Sequence, residues 1–270
     1  MPEPSRRETR PSSGKRPSAP AASAPRARAD NTEREAEFAR WIAFEPEPEA
    51  IPCDEASRAQ LARLGIELDA AEEKALARYL GMLFFANERF NLTRIDRESA
   101  WMRHVVDSLT LLAPLASIDG VTRALDVGSG GGLPAIPLAI TRPDIQWTLL
   151  EATAKKARFL EAVARRLDVR NVTVRNDRAE RAARGPLRET FDVTTSRAVG
   201  ALTDLALISV PFLRIGGVML AIKGERAGEE IAAAKQPLYE LHASVVGEIR
   251  GETNTIVAIE KNRKTPAKFP

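Results

Sequence analysis

Arg123-Ala-Leu-Asp-Val-Gly-Ser-Gly-Gly-Gly-Leu133 is the stretch whose reading decides the fold. An apolar run ends in an acid at Asp126, and four of the five residues from Gly128 to Gly132 are glycine. Leu133-Pro-Ala-Ile-Pro-Leu-Ala-Ile140 follows and reads as a helix, with Pro134 in the first turn, where a missing N–H costs little. Strand, glycine loop and helix make the first unit of a nucleotide-type α/β domain. Glycines let the backbone turn tightly and come close to a ligand with no Cβ in the way.

Beyond Thr122 strands and helices alternate, which predicts a mostly parallel sheet. Strands are expected at 124–127, 147–150, 172–175, 191–195 and 218–222, with helices at 154–167, near 201–213 and near 226–235. The last two strands, near 244–249 and 255–260, have only the short turn Gly251-Glu-Thr-Asn254 between them and predict an antiparallel hairpin. A parallel sheet that finishes in one such hairpin is the arrangement of class I methyltransferases.

Ligands of open α/β sheets bind outside the carboxyl ends of the strands. That rule gathers the loop 128–132, Glu151-Ala-Thr153, Asp177-Arg-Ala-Glu180, Arg197 and Lys223. A dinucleotide loop, G-x-G-x-x-G, would place glycine where Leu133 stands. Asp126 would also repel a pyrophosphate and attract a cation. S-adenosylmethionine carries a sulfonium and an ammonium and no phosphate, so the motif suits that cofactor. Glu151 could accept two hydrogen bonds from ribose hydroxyls, and 177–180 stands where an adenine edge could be read. Each residue alone is a common polar strand end; the ordered set points to a cofactor.

Composition sets bounds. At 270 residues and 44% hydrophobic, the chain can hold one large α/β domain and a smaller element. No apolar stretch reaches the roughly 18–20 residues of a membrane span, and no signal-peptide core follows Met1. The single Cys53 rules out an intrachain disulfide, fits a reducing compartment and reads as incidental. A cytoplasmic monomer without a metal site is expected. Net charge is +3, yet residues 1–29 hold seven Lys/Arg and two Glu, so the remainder is −2. Any nucleic-acid binding must therefore use a local patch.

The chain divides on this reading into four parts. Residues 1–30 contain six of the eighteen prolines and no apolar periodicity, which predicts a disordered basic tail. Residues 31–118 are expected to form a helical cap, 119–262 the cofactor-binding domain and 263–270 a basic C-terminal tail. Within the cap, Phe38, Trp41 and Ile42 share a face, Asp54 caps a short helix, and Asp69 with Glu72 forms a capping box. A longer helix carries Leu76, Leu80, Leu83 and Phe84. Another begins near Asp96, with Trp101, Val105, Leu109 and Leu112 on one side and Arg97, Arg103, His104, Asp107 and Ser108 on the other.

The combination of Asn91-Leu-Thr93, Arg103-His-Val-Val-Asp-Ser108, Asp126-Val-Gly-Ser-Gly-Gly-Gly-Leu-Pro134, Lys155-Lys-Ala-Arg-Phe-Leu160, Arg178-Ala-Glu180, Ser196-Arg-Ala198 and Leu220-Ala-Ile-Lys-Gly224 resembles the small-subunit ribosomal RNA methyltransferase G family, also called glucose-inhibited division protein B. The resemblance runs from about residue 76 to 261. It implies methyl transfer from S-adenosylmethionine to N7 of a guanosine in the 530 loop of 16S rRNA, with the 30S subunit as partner. It further implies that Gly128 and Leu133 line the methionine end of the cofactor, in the loop that Asp126 and Gly130 belong to. Glu151, Ala152 and Thr153 would hold the ribose, and Ala179 and Glu180 would meet the adenine. Arg197 would bind at the cofactor–substrate junction, while Arg103, His104 and Lys223 become candidates for the RNA side. Arg94, Arg97, Lys155, Lys156, Arg178, Lys261, Arg263, Lys264 and Lys268 could add basic charge near the mouth. Glu151 departs from the Asp expected in many relatives, and the proline-rich tail has no counterpart.

Neutral guanine N7 already carries a free lone pair, so its methylation requires position and no general base. The fourth strand end has neither the Asn/Asp-Pro-Pro-aromatic motif of amine methylation nor the Pro-Cys of cytosine C5 methylation. No catalytic side chain is assigned. A class I methyltransferase with another acceptor, and a non-catalytic RNA- or cofactor-binding assembly factor, are the alternatives.

Overall fold

The structure is a computed structural model; it describes residue 33, residues 35–197 and residues 200–270. The tail 1–30 lies outside the described residues, as does Ala198 of the Ser-Arg-Ala motif. The chain forms two compact units, Met1–Arg40 and Trp41–Pro270. In the first, residues 35–40 are helical. The second contains the sheet and the helices packed around it.

Seven strands form one sheet in the order β3-β2-β1-β4-β5-β7-β6. They are β1 Arg123–Val127, β2 Gln146–Glu151, β3 Val172–Asn176, β4 Phe191–Arg197, β5 Leu213–Lys223, β6 Ala243–Arg250 and β7 Thr255–Lys261. β1 to β5 are mutually parallel; β7 pairs antiparallel with β5, and β6 pairs antiparallel with β7. The hairpin expected from its four-residue turn is present, and its second strand is inserted beside β5. The strand order reverses at β1/β4, where open α/β sheets leave a crevice.

Two elements differ from expectation for stated reasons. β5 begins five residues before 218, because Gly216-Gly217 sits inside it. Gly216 takes φ +76°, and a Cβ on Gly217 would stand 3.0 Å from the carbonyls of Phe191, Asp192 and Arg214. The glycines mark a bulge between Phe191 and Val193 of β4, not a strand end. The helix expected near 226–235 continues from Ala227 to Glu240, past Pro237. Ala234 and Leu238 are packed in the core with Val257 and Ile259, and that burial outweighs the missing N–H of the proline.

Within the second unit the sheet is preceded by α1 Glu55–Arg63, α2 Ala70–Asn87, a π-helical turn Trp101–Val106 that continues into α3 Asp107–Leu109, and α4 Leu112–Ala116. Asp54 accepts from Ser57 N at 2.8 Å, and Asp69 with Glu72 forms the complete capping box. The helix expected from Asp96 is a π turn at its centre. One extra residue per turn rotates the polar side inward: His104, Asp107 and Ser108 are buried instead of solvated. The C-terminal segment 263–270 is tied to the sheet domain. The Arg188 guanidinium donates to carbonyls of Thr265, Pro266, Phe269 and Pro270, and Lys261 is fully buried against Glu189 Oε1 at 2.9 Å.

The helical part packs directly on the glycine loop. Tyr79 Oη of α2 donates to Gly131 O at 2.8 Å. A Cβ on Gly131 would reach Leu83 Cδ1 at 2.8 Å; one on Gly132, at φ +95°, would reach Ile136 Cγ1 at 2.6 Å and Leu160 Cδ2 at 3.0 Å. Gly132→Ala is therefore expected to cost about 2–4 kcal/mol in urea unfolding, from overpacking and the left-handed backbone together. Gly228→Ala, with open space around it and an ordinary φ, should be neutral or mildly stabilising in the same measurement.

Candidate cofactor site and adjoining cleft

The loop after β1 is held through its backbone. Gly128 N and Ser129 N both donate to Leu150 O, at 2.9 and 3.1 Å. Glu151, at the end of β2, is only 7% exposed and takes one backbone N–H on each oxygen: Gly130 N on Oε2 at 2.9 Å and Thr153 N on Oε1 at 2.7 Å. A carboxylate has about four acceptor positions, so two remain for a ligand. Ala152 and Thr153 are exposed at the lip, and Gly128 is exposed in the loop.

Asp126 lies beneath this loop and is 1% exposed. Its Oδ1 accepts from Thr195 Oγ1 of β4 at 2.8 Å, while Oδ2 is buried with no partner among the described residues. Burial first, and the nearby Glu151 charge, push its carboxyl up to about 7 against the pull of Thr195 and Arg197. An orphaned buried acceptor of this kind suits a cationic or donor group from a ligand. Leu133 is buried at the head of α5 (Ala135–Thr141). Ala179 and Glu180 open the short helix Ala179–Ala182 after β3; Glu180 is exposed.

Beside the loop, at the ends of β4 and β5, lies a cleft of about 780 Å³. Arg197 forms one wall. Its Nη1 donates to Arg103 O at 2.6 Å and its Nη2 lies 3.0 Å from His104 Nδ1. His104 Nε2 is 2.9 Å from Thr93 Oγ1, which also accepts from Ile95 N at 3.0 Å. Burial lowers the imidazole to about 3, with the Arg197 charge adding to the effect, so His104 is neutral. Burial also lowers Arg197, and the Tyr79 phenol is driven above its usual range by burial.

The three RNA-side candidates meet different fates. Arg103 remains at the cleft with its side chain about half exposed, 3.4 Å from Asp107 Oδ2. His104 is fully buried behind Arg197, so it touches the cleft only through its ring edge. Lys223 lines the cleft, but its ammonium is 2.7 Å from Glu230 Oε2 and donates to Gly200 O at 2.8 Å. It is not free to meet a phosphate without giving up that pair. Of the other basic candidates, Arg94 also lines the cleft, while Lys261 and Lys268 are engaged with Glu189 and Glu240. Cys53, whose thiol burial pushes up to about 11, is an unreactive thiol away from the site.

Tyr79, Thr93, Thr195, Asp107 and Asn254 were not identified as site residues from the sequence. Asp107 Oδ1 accepts from Thr253 Oγ1 at 2.5 Å and Asn254 Nδ2 at 3.0 Å, which ties the β6–β7 turn to the cleft. Thr93 could have been found from the Asn91-Leu-Thr93 motif and Asp107 from Arg103-His-Val-Val-Asp-Ser108; the others have no signal in the sequence beyond their neighbours.

Sheet order and loop together define a class I S-adenosylmethionine-dependent methyltransferase fold. A solved structure from Methanococcus maripaludis, assigned to the S-adenosyl-L-methionine-dependent methyltransferases, superposes with a TM-score of 0.50 at 15% identity over 62% of this chain and 90% of that one. The profile of the family described as rRNA small subunit methyltransferase G matches residues 72–253. The Ribosomal RNA small subunit methyltransferase G of Sorangium cellulosum is 47% identical over 212 residues, 78% of this chain and 89% of that protein. That of Deinococcus radiodurans is 38% identical over 215 residues, 77% and 84% respectively. The chain belongs to the ribosomal RNA small subunit methyltransferase G family.

The raised Asp126 carboxyl has a consequence for stability. Its folded value near 7 exceeds the unfolded value of about 3.9, so the folded state keeps a proton that the unfolded state releases. This contribution is complete below about pH 4 and falls by about 1.4 kcal/mol per pH unit up to about pH 7. Urea denaturation from pH 4.5 to 8 should find the protein losing stability against Asp126→Asn over that window, then levelling off. A constant difference would contradict a buried, protonated Asp126.

Proposed function

We propose that this protein transfers the methyl group of S-adenosylmethionine to N7 of a guanosine in the 530 loop of 16S rRNA, acting in the cytoplasm on the small ribosomal subunit. The carrying observation is family membership over residues 72–253, the span that contains every strand-end residue of the site. Among the described residues no helix is long and apolar enough to cross a membrane.

The residues present fit the cofactor. Glu151 keeps acceptor capacity for ribose hydroxyls, Gly128 and Gly130 leave the loop open to close approach, and the unpartnered Oδ2 of Asp126 suits the ammonium of the methionine end. Ala152, Thr153, Leu133, Ala179 and Glu180 complete the binding surface. When bound, the cofactor supplies a methyl group made electrophilic by its sulfonium.

The chain's own residues then bind and orient. Arg197 stands between the loop and the cleft, with donors to spare for the cofactor carboxylate or the guanine edge. The cleft receives the guanosine once it is unstacked from its neighbours, and Arg94 and Arg103 at its mouth attract the backbone. N7 attacks through its own lone pair, so no proton has to move as the bond forms. Two groups beside the cleft support this reading: His104 is neutral with both ring nitrogens engaged, and Tyr79 Oη is committed to Gly131 O.

Purified protein is to be incubated with tritiated S-adenosylmethionine and 30S subunits from cells lacking the modification, followed by nucleoside analysis of the digested RNA. Label in 7-methylguanosine of the small-subunit RNA is expected, and Arg197→Met should lower the rate by about 100-fold or more, as for loss of a charged group in a preorganised site. Intact cofactor binding without RNA label would overturn the rRNA assignment in favour of another acceptor or a binding role.

A further inference from the structure

His104 sits where two facts meet. It belongs to the π-helical turn Trp101–Val106, and its ring touches Arg197 on one side and Thr93 on the other. A guanidinium only donates, so Nδ1 of the ring must accept from Arg197 Nη2. A proton on Nδ1 would set donor against donor at 3.0 Å. The ring proton is therefore on Nε2 and is donated to Thr93 Oγ1 at 2.9 Å. Thr93 is in turn held by Ile95 N, so the ring cannot rotate without breaking contacts at both nitrogens.

The neighbouring residue supplies the other half. Arg103 O accepts from Nη1 of the same guanidinium at 2.6 Å. One backbone carbonyl and the next residue's ring nitrogen thus form a two-point acceptor that fixes the plane of Arg197. The π turn presents both on one side. Of the five N–H groups of Arg197, these contacts use two and leave three for ligands. Other groups near the ring are the Arg103 charge and the Phe84 ring, whose centroid is 6.1 Å away; neither offers His104 a different partner.

We infer that His104 is a positioning residue: as a neutral Nε2–H imidazole held by Thr93, it works with the Arg103 carbonyl to aim the Arg197 guanidinium at the junction of cofactor and guanine. This rests on the function proposed above, and its test separates the two. The chain has two histidines, so the ring signals of ¹⁵N-histidine-labelled protein are few, and a His242→Asn variant assigns them. In wild-type protein without ligand, His104 should show the Nε2–H tautomer unchanged from pH 5 to 8. In Arg197→Met, with the donor gone, the Nδ1–H form should appear.

Two substitutions then split positioning from packing. Asn at 104 places an amide oxygen near the site of Nδ1 and keeps an acceptor for Arg197. Gln places its head group near the site of Nε2 and loses that acceptor. Calorimetry with S-adenosylmethionine should find His104→Asn within about threefold of wild type and His104→Gln weaker by about tenfold or more, the cost of leaving a buried charged donor unpaired. Thermal melting of both variants checks that the fold is kept. Equal losses in the two variants, no loss in either, an Nδ1–H ring, or a ring that titrates between pH 5 and 8 would each overturn the inference. A wild-type protein that binds no S-adenosylmethionine would overturn the proposed function, and the tautomer measurement would then decide the inference alone.

Discussion

The missing side chains of Gly131 and Gly132 are the constraint on which the rest of this structure depends. They let the loop after β1 lie against Leu83 of α2, Ile136 of α5 and Leu160 of the helix Ala154–Arg166, with no room for a Cβ. That contact fuses the helical segment to the sheet. It brings the Tyr79 hydroxyl onto Gly131 O and leaves Gly128 exposed and Gly130 half-buried on the outer face of the loop. Glu151 then clamps the loop from the next strand by its oxygens. A nucleotide-type site usually gains its rigidity from the strand–loop–helix unit alone; here a helix from an earlier part of the chain presses on it as well.

From that junction follows the character of the site. Arg197 leaves the sheet and is caught by the π turn, so one cation spans the two halves of the molecule at the edge of the cleft. At the edge of the cleft His104 cannot take a proton at physiological pH, and Asp126, held up near 7, lies beneath the loop. Such a site favours chemistry that consists of holding two reactants in line. Guanine N7, with an available lone pair, asks for nothing more.

The β1 loop, the hairpin at 251–254 and the capping box at Asp69 could be read from sequence because each is a local pattern with one physical meaning. The π turn could not be read: Trp101, Val105 and Leu109 keep an α-helical spacing, and its contacts with Arg197 come from a strand far along the chain. The same limit hid the fate of Lys223 and Lys261. A lysine looks basic in a sequence, but Glu230, on the helix that follows Lys223, and Glu189, 72 residues before Lys261, decide that both ammonium groups serve the fold. The early glycines of β5 look like a strand boundary until the neighbouring carbonyls of β4 are known.

The claim that this site works by positioning is tested most directly by the single-turnover rate of methyl transfer to 30S RNA, at saturating cofactor, across pH 6 to 9. A reaction whose nucleophile needs no base predicts a rate that varies by no more than about twofold over that range. A log-linear rise of slope one that reaches a plateau, and that persists in Asp126→Asn, would reveal an ionising base in the transition state and contradict the account.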